Sequence, residues 1–85
     1  MPRLHDYRFL AEIGRRLIDK REELNLPQAH VAAMAKITPQ QLSRYEQGLS
    51  DPPLSTLMRI TRVLQMSPTA LLIQTMILSE QDKRP

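Results

Sequence analysis

Residues 28–48 read QAHVAAMAKITPQQLSRYEQG, and this stretch decides the fold. Its clearest signal is Thr38-Pro39-Gln40-Gln41: a threonine to cap a helix, a proline at the first helical position and a glutamine at the third. Leu42 and Tyr45, three apart, face inward, which leaves Gln40, Ser43, Arg44 and Gln47 facing out. Gly48 stops the helix, as a residue free to turn left-handed does. Upstream, Pro27 opens a preceding helix within its first turn, where a missing N–H is harmless. Val31, Met34 and Ala35 supply its inward face, and the alanines at 29, 32 and 33 leave little bulk between neighbouring helices. Lys36 and Ile37 form the turn. The stretch is therefore two short helices with a tight connection. The second is the working surface, since its outward residues are Gln, Ser and Arg rather than a solubilising mixture of Lys and Glu.

The flanking sequence supplies a scaffold. Residues 1–5 carry no pattern and are expected to be disordered. From Asp6, a capping residue, Phe9 or Leu10, Ile13, Leu17 and Leu24 share one face of a helix with Arg21. Gly14 costs that helix about 1 kcal/mol relative to alanine, so a small residue there implies close approach by another helix. Asn25 suits the left-handed end. Residues 49–53 make a loop stiffened by two prolines. Leu54, Leu57, Met58, Ile60 or Thr61, and Leu64 recur with helical period in a fourth helix. Ser67-Pro68 starts a fifth, containing Leu71, Leu72, Thr75, Met76 and Leu78. Residues 79–85 are polar and read as a flexible tail. The fold class is all-α: a compact five-helix domain over residues 6–78, with the helix-turn-helix at 28–48.

Composition narrows the chemistry. The 85 residues contain no cysteine, which removes disulfides and thiolate metal sites and leaves stability to packing. His5 and His30 stand alone, so no metal and no cofactor are expected. Net charge is +3, compatible with a polyanion partner. No secretory segment and no apolar run long enough to span a bilayer are present, so a cytoplasmic location without membrane contact is expected. Carboxylate pairs, nucleophile–base sets and glycine-rich phosphate loops cannot be assembled, and the chain is not read as an enzyme. Met58, Met66 and Met76 read as core and interface filler. Arg59 and Arg62 read as a solvated face.

The run Ile13-Gly14, Arg21-Glu22, Gln28, Ala32, Ile37-Thr38, Leu42-Ser43-Arg44-Tyr45-Glu46, Gly48, Pro52 or Pro53, and Leu57 resembles the Cro/C1-type (XRE) helix-turn-helix family across residues 12–73. The resemblance implies a lambda-repressor-like DNA-binding domain whose third helix enters the major groove of double-stranded DNA, usually as a homodimer. It places Pro39, Gln40, Ser43 and Arg44 at base-reading positions and Gln28 and Gln47 at backbone-contacting ones. Arg21 and Glu46 match a structural ion pair. Arginine suits guanine O6/N7 and glutamine suits adenine N6/N7, so the residue types fit the positions. Two departures stand out. Pro39 has no polar group for a base, and Lys36 occupies the usual turn glycine, so either the turn differs or lysine adopts a left-handed conformation.

The function expected is a sequence-specific transcriptional regulator, a repressor in its simplest form, binding an operator as a homodimer. The alternatives are an antitoxin that also binds a toxin protein, and a restriction–modification controller protein. The expected dimer surface is the loop after Gly48 together with Leu72, Met76 and Leu78.

Overall fold

A computed structural model describes residues 7–81, whose regular structure is entirely helical. The elements are α1 (Tyr7–Glu23), α2 (Gln28–Met34), α3 (Pro39–Glu46), α4 (Leu54–Val63) and α5 (Pro68–Gln81). Segment 1–5 with His5, the Asp6 cap and residues 82–85 lie outside the described residues, as does the side chain of Leu78. α1 packs on α3 and α5, α2 on α3 and α4, and α4 on α5. Leu17, Val31, Leu42, Ile60, Leu64 and Leu71 form the centre of the shared core. Arg16 on α1 adds a hydrogen bond to Gln74 on α5 at 3.0 Å. No helix among the described residues is long and apolar enough to cross a membrane.

The first four helices end the same way. Asn25, Lys36, Gly48 and Gln65 have φ of 57°, 61°, 73° and 57°. At each end two backbone N–H groups fold back on the last turn: Asn25 to Glu22 and Leu26 to Arg21, Lys36 to Ala33 and Ile37 to Ala32, Gly48 to Tyr45 and Leu49 to Arg44, Gln65 to Arg62 and Met66 to Thr61. This paired pattern satisfies carbonyls that a helix end otherwise leaves open, and an apolar residue follows the left-handed one each time. Lys36 therefore adopts the left-handed conformation, and the turn keeps the geometry a glycine would give. A β-carbon in that region costs roughly 1–2 kcal/mol, which the closing hydrogen bonds offset.

Both glycines of the chain lie where α1 meets the end of α3. A β-carbon on Gly14 would overlap the carbonyl oxygens of Glu46 and Tyr45, the latter 2.6 Å away. One on Gly48 would sit 2.8 Å from the Ala11 Cα. Backbone cannot yield as a side-chain tip does, so Gly14→Val is expected to lower stability by at least about 1–3 kcal/mol. A melt followed by circular dichroism measures it, at roughly 4–8 °C per kcal/mol for a domain of this size. An unchanged melting temperature would mean that the helices are further apart than this geometry.

Met34, expected on the inward face of α2, is 60% exposed instead, and Leu54 and Met58 of the α4 period are 63% and 48% exposed. The inward arc of α2 is narrower, filled by Val31, Ala32 and Ala35, and that of α4 is Thr56, Leu57, Ile60 and Thr61 with Leu64 beyond. In α5, Leu71 and Thr75 are buried, and the Thr75 hydroxyl donates to the Leu71 carbonyl at 2.7 Å, which makes an inward threonine tolerable. The helix runs on to Gln81, past the expected tail boundary at Ser79. Pro27 caps α2 rather than opening it, with its carbonyl taking the N–H of Val31 at 3.2 Å. Arg59 is half-buried rather than a solvated side chain. Its Nε donates to the Ala35 carbonyl at 2.9 Å and ties α4 to the end of α2.

Candidate nucleic-acid interface

α3 is fixed at both ends, which is what a reading helix requires. At its start the Gln41 N–H donates to Thr38 Oγ1 at 3.0 Å, and the Thr38 N–H donates to Gln41 Oε1 at 2.9 Å. This reciprocal cap uses Gln41 locally. At its end Glu46 turns inward, 4% exposed. Arg21 Nε donates to Glu46 Oε2 at 2.7 Å and Nη2 to Oε1 at 3.2 Å, a two-pronged pair between α1 and α3. The remaining terminal nitrogen, Nη1, donates to the Leu26 carbonyl at 3.0 Å, so the same guanidinium also fixes the approach to α2.

Gln28 joins this network. Its Nε2 donates to Glu46 Oε1 at 2.7 Å. The first side chain of α2 is thus tied to the last residue of α3 through one buried carboxylate.

The outward face of α3 carries the other residues. Pro39, Gln40, Arg44 and Gln47 are exposed, and Ser43 is half-buried. Gln47 Nε2 donates to Ser43 Oγ at 2.7 Å, which couples those two side chains. Arg44 Nε donates to Ser50 Oγ at 3.0 Å, so a residue of the following loop positions the guanidinium. No spacing in the sequence marks Ser50 for that role. Between residues 24 and 79 the chain has only two carboxylates, Glu46 and Asp51, and the first is buried. The face of α3 therefore presents amides, a hydroxyl and a guanidinium, with its one acid withdrawn into the ion pair.

Among the described residues no group of three or more His, Cys, Asp or Glu is placed to hold a metal ion. On α1, away from this face, the hydrogen bond and charge of Glu12 hold the Arg15 guanidinium above its ordinary value, with Asp19 adding to the effect. Arg15 stays cationic throughout any working pH range.

Two helices joined by a left-handed turn, the second capped at its start and pinned at its end, define a helix-turn-helix protein. Residues 17–71 match the family described as helix-turn-helix, and the chain belongs to that family, in its Cro/C1 (XRE) type. It is 34% identical over 73 residues to the HTH-type transcriptional regulator DicA of Escherichia coli (strain K12), covering 86% of this chain and 50% of that one. The chain thus spans about half the length of that relative. Among solved structures it resembles the P22 c2 repressor protein in complex with a synthetic operator, at 28% identity and a TM-score of 0.67, over 71% of this chain and 91% of that one. The restriction-modification controller protein C.AhdI from Aeromonas hydrophila is similar in fold, with 22% identity and a TM-score of 0.70, over 73% of this chain and 94% of that one.

Proposed function

We propose that the protein is a transcriptional regulator that binds an operator in double-stranded DNA as a homodimer, with α3 in the major groove. The observation that carries this is the character of the α3 face: hydrogen-bonding side chains without an exposed carboxylate, on a helix held rigid at both ends. Such a face can approach a polyanion and still discriminate base edges. Gln40 and Arg44 are assigned to base reading, with Ser43 beside them and Pro39 offering only an apolar contact, such as a thymine methyl. Gln47 and Gln28 are assigned to the sugar–phosphate backbone. Repression follows if the operator overlaps a promoter.

The homodimer is supported by the apolar surface of α5. Ile73, Met76 and Ile77 are 52%, 46% and 52% exposed, while Leu71 and Thr75 of the same helix face the core. A helix apolar on opposite sides needs a second covering. Leu72, expected at this surface, instead packs half-buried against the core, whereas Leu49 in the loop after α3 is 59% exposed. Half-sites read by such a dimer lie about one helical turn, roughly 34 Å, apart.

The test is selection of sheared genomic DNA by the purified protein at about 150 mM salt, followed by sequencing. Enrichment of one palindromic site supports the regulator, and the genes beside it distinguish a self-standing regulator from an antitoxin or a restriction–modification controller. Absence of enrichment by folded protein rejects it.

Gln28 gives a sharper expectation. Gln28→Ala removes a hydrogen bond to a buried carboxylate, a loss of about 1.5–3 kcal/mol in stability. At a temperature where the variant is still folded, its affinity should fall about equally for cognate and scrambled duplexes. A loss confined to the cognate sequence would move Gln28 from backbone contact to base reading.

A further inference from the structure

We propose that the face formed by the C-terminal half of α2 and the length of α4 docks an acidic, amphipathic helical segment of a partner protein. The surface is distinct from the α3 face, since none of Gln40, Ser43, Arg44 or Gln47 lines it. A groove of about 550 Å³ runs between the two helices, with Leu26, Met34 and Val63 as apolar lining and Lys36, Arg59 and Arg62 as cations. Two smaller depressions, about 270 and 210 Å³, continue it along α4 past Met58 to Met66. Arg62 borders all three, so they form one elongated surface.

Charge and apolarity both bear on the occupant. Lys36 and Arg62 are in no ion pair among the described residues, whereas on α1 Arg15, Arg16 and Lys20 each have a carboxylate partner. Of the two carboxylates between residues 24 and 79, Glu46 is buried and Asp51 lines a separate groove with Phe9, Pro52 and Leu72. Cations near a helix C-terminus offset the dipole, and that accounts for Lys36 and Arg62 as charges. It does not account for Met34 and Met58, held out to solvent beside them at 60% and 48% exposure. Methionine adapts its shape to an apolar anchor and is favoured on surfaces that receive helices.

Arg59 adds rigidity. Its bonds to the Ala35 carbonyl and to Thr56 Oγ1 at 3.2 Å hold the guanidinium in place before any partner arrives. A nucleic-acid backbone would match the cations and leave the methionines wet. A peptide helix with leucines at every third or fourth position and glutamates on its flanks matches both. α4, with ten residues, is about 15 Å long and accommodates roughly three turns of such a helix.

The probe is a fluorescein-labelled synthetic helix of about 15 residues with that leucine and glutamate spacing, beside a scrambled peptide of the same composition. Anisotropy with the full chain should give a Kd of about 10–100 μM for the patterned peptide and binding at least tenfold weaker for the scrambled one. Amide shifts in ¹⁵N–¹H spectra should cluster at Met34, Lys36, Met58, Arg62 and Gln65. Arg62→Glu should weaken binding about tenfold or more, and Met58→Ser about fivefold, with both variants still folded at the assay temperature and the melt of Arg62→Glu only slightly lowered by the reversed charge at the end of α4. Arg44→Ala should have no effect, which separates this surface from the DNA-binding proposal. Equal binding of the two peptides would reduce the effect to charge alone and overturn the proposal. So would no saturation by about 1 mM, shifts on α3 instead, or a random-sequence duplex displacing the peptide from the same residues.

Discussion

Glu46→Ala is expected to lower stability by about 3–5 kcal/mol, the cost of removing one partner from a buried ion pair. The carboxylate is 4% exposed and receives three side-chain hydrogen bonds, two from Arg21 and one from Gln28. Its loss strands a guanidinium whose side chain is itself only 14% exposed, together with the amide of Gln28. Water can re-enter only by opening the contact among α1, α2 and α3. Domains of this kind have roughly 5–15 kcal/mol in total, and an 85-residue chain without disulfides belongs at the low end. The melting temperature should therefore fall by at least about 12 °C, at 4 °C or more per kcal/mol. Glu22→Ala is the control: Glu22 is exposed and in no ion pair among the described residues, so its melt should move by about 0.5 kcal/mol or less. DNA binding by Glu46→Ala should be lost in step with folding and recover on cooling. A melt like that of the unsubstituted protein would sink the idea that this pair holds the helices together.

The same network marks where the sequence is legible and where it is not. The limits of α3 follow from local chemistry, because a Thr-Pro-Gln-Gln start and a glycine stop act within a few residues of themselves. Gly14 is legible as a close approach, and α3 is what approaches. The left-handed ends at Asn25 and Gly48 suit residues that favour that conformation. Gln65 at the end of α4 has the same φ without any residue preference to announce it, because the following apolar residue and the closing hydrogen bonds decide its geometry. Period puts Met34 on the inward face of α2 and groups Leu54 and Met58 with Leu57 and Ile60 in α4, yet all three are exposed. A period of three or four fixes which residues share a stripe but not how wide an arc the neighbouring helices cover. In α5, where apolar residues occupy every face, period carries little information about which side is inward. Long-range contacts were the least legible: that Gln28 bonds to Glu46, Arg44 to Ser50 and Arg59 to Ala35 depends on how the helices cross.

Arg44→Ala should cost specificity rather than stability. The residue is exposed, and its Nε is engaged with Ser50, which leaves its two terminal nitrogens for a base edge. A paired contact from that fork to guanine O6 and N7 is worth about 1–3 kcal/mol of discrimination. In the proposed homodimer the substitution enters twice, so the cognate operator should lose about 2–6 kcal/mol, or roughly 30-fold to 10⁴-fold in affinity. A scrambled duplex should lose far less, because binding to it rests on charge and backbone contacts that the other residues retain. Substituting each operator base pair in turn should then show discrimination relaxed at one position of each half-site and kept elsewhere. Arg44→Lys should not rescue the effect, since a single ammonium cannot supply the planar fork. Ser50→Ala should fall between Arg44→Ala and the unsubstituted protein, because it frees the guanidinium without removing it. Equal losses for Arg44→Ala on cognate and scrambled DNA would reject base reading. Arg44 would then join the backbone contacts, and discrimination would fall to Gln40, the remaining exposed α3 side chain with a paired donor and acceptor and no side-chain partner of its own among the described residues.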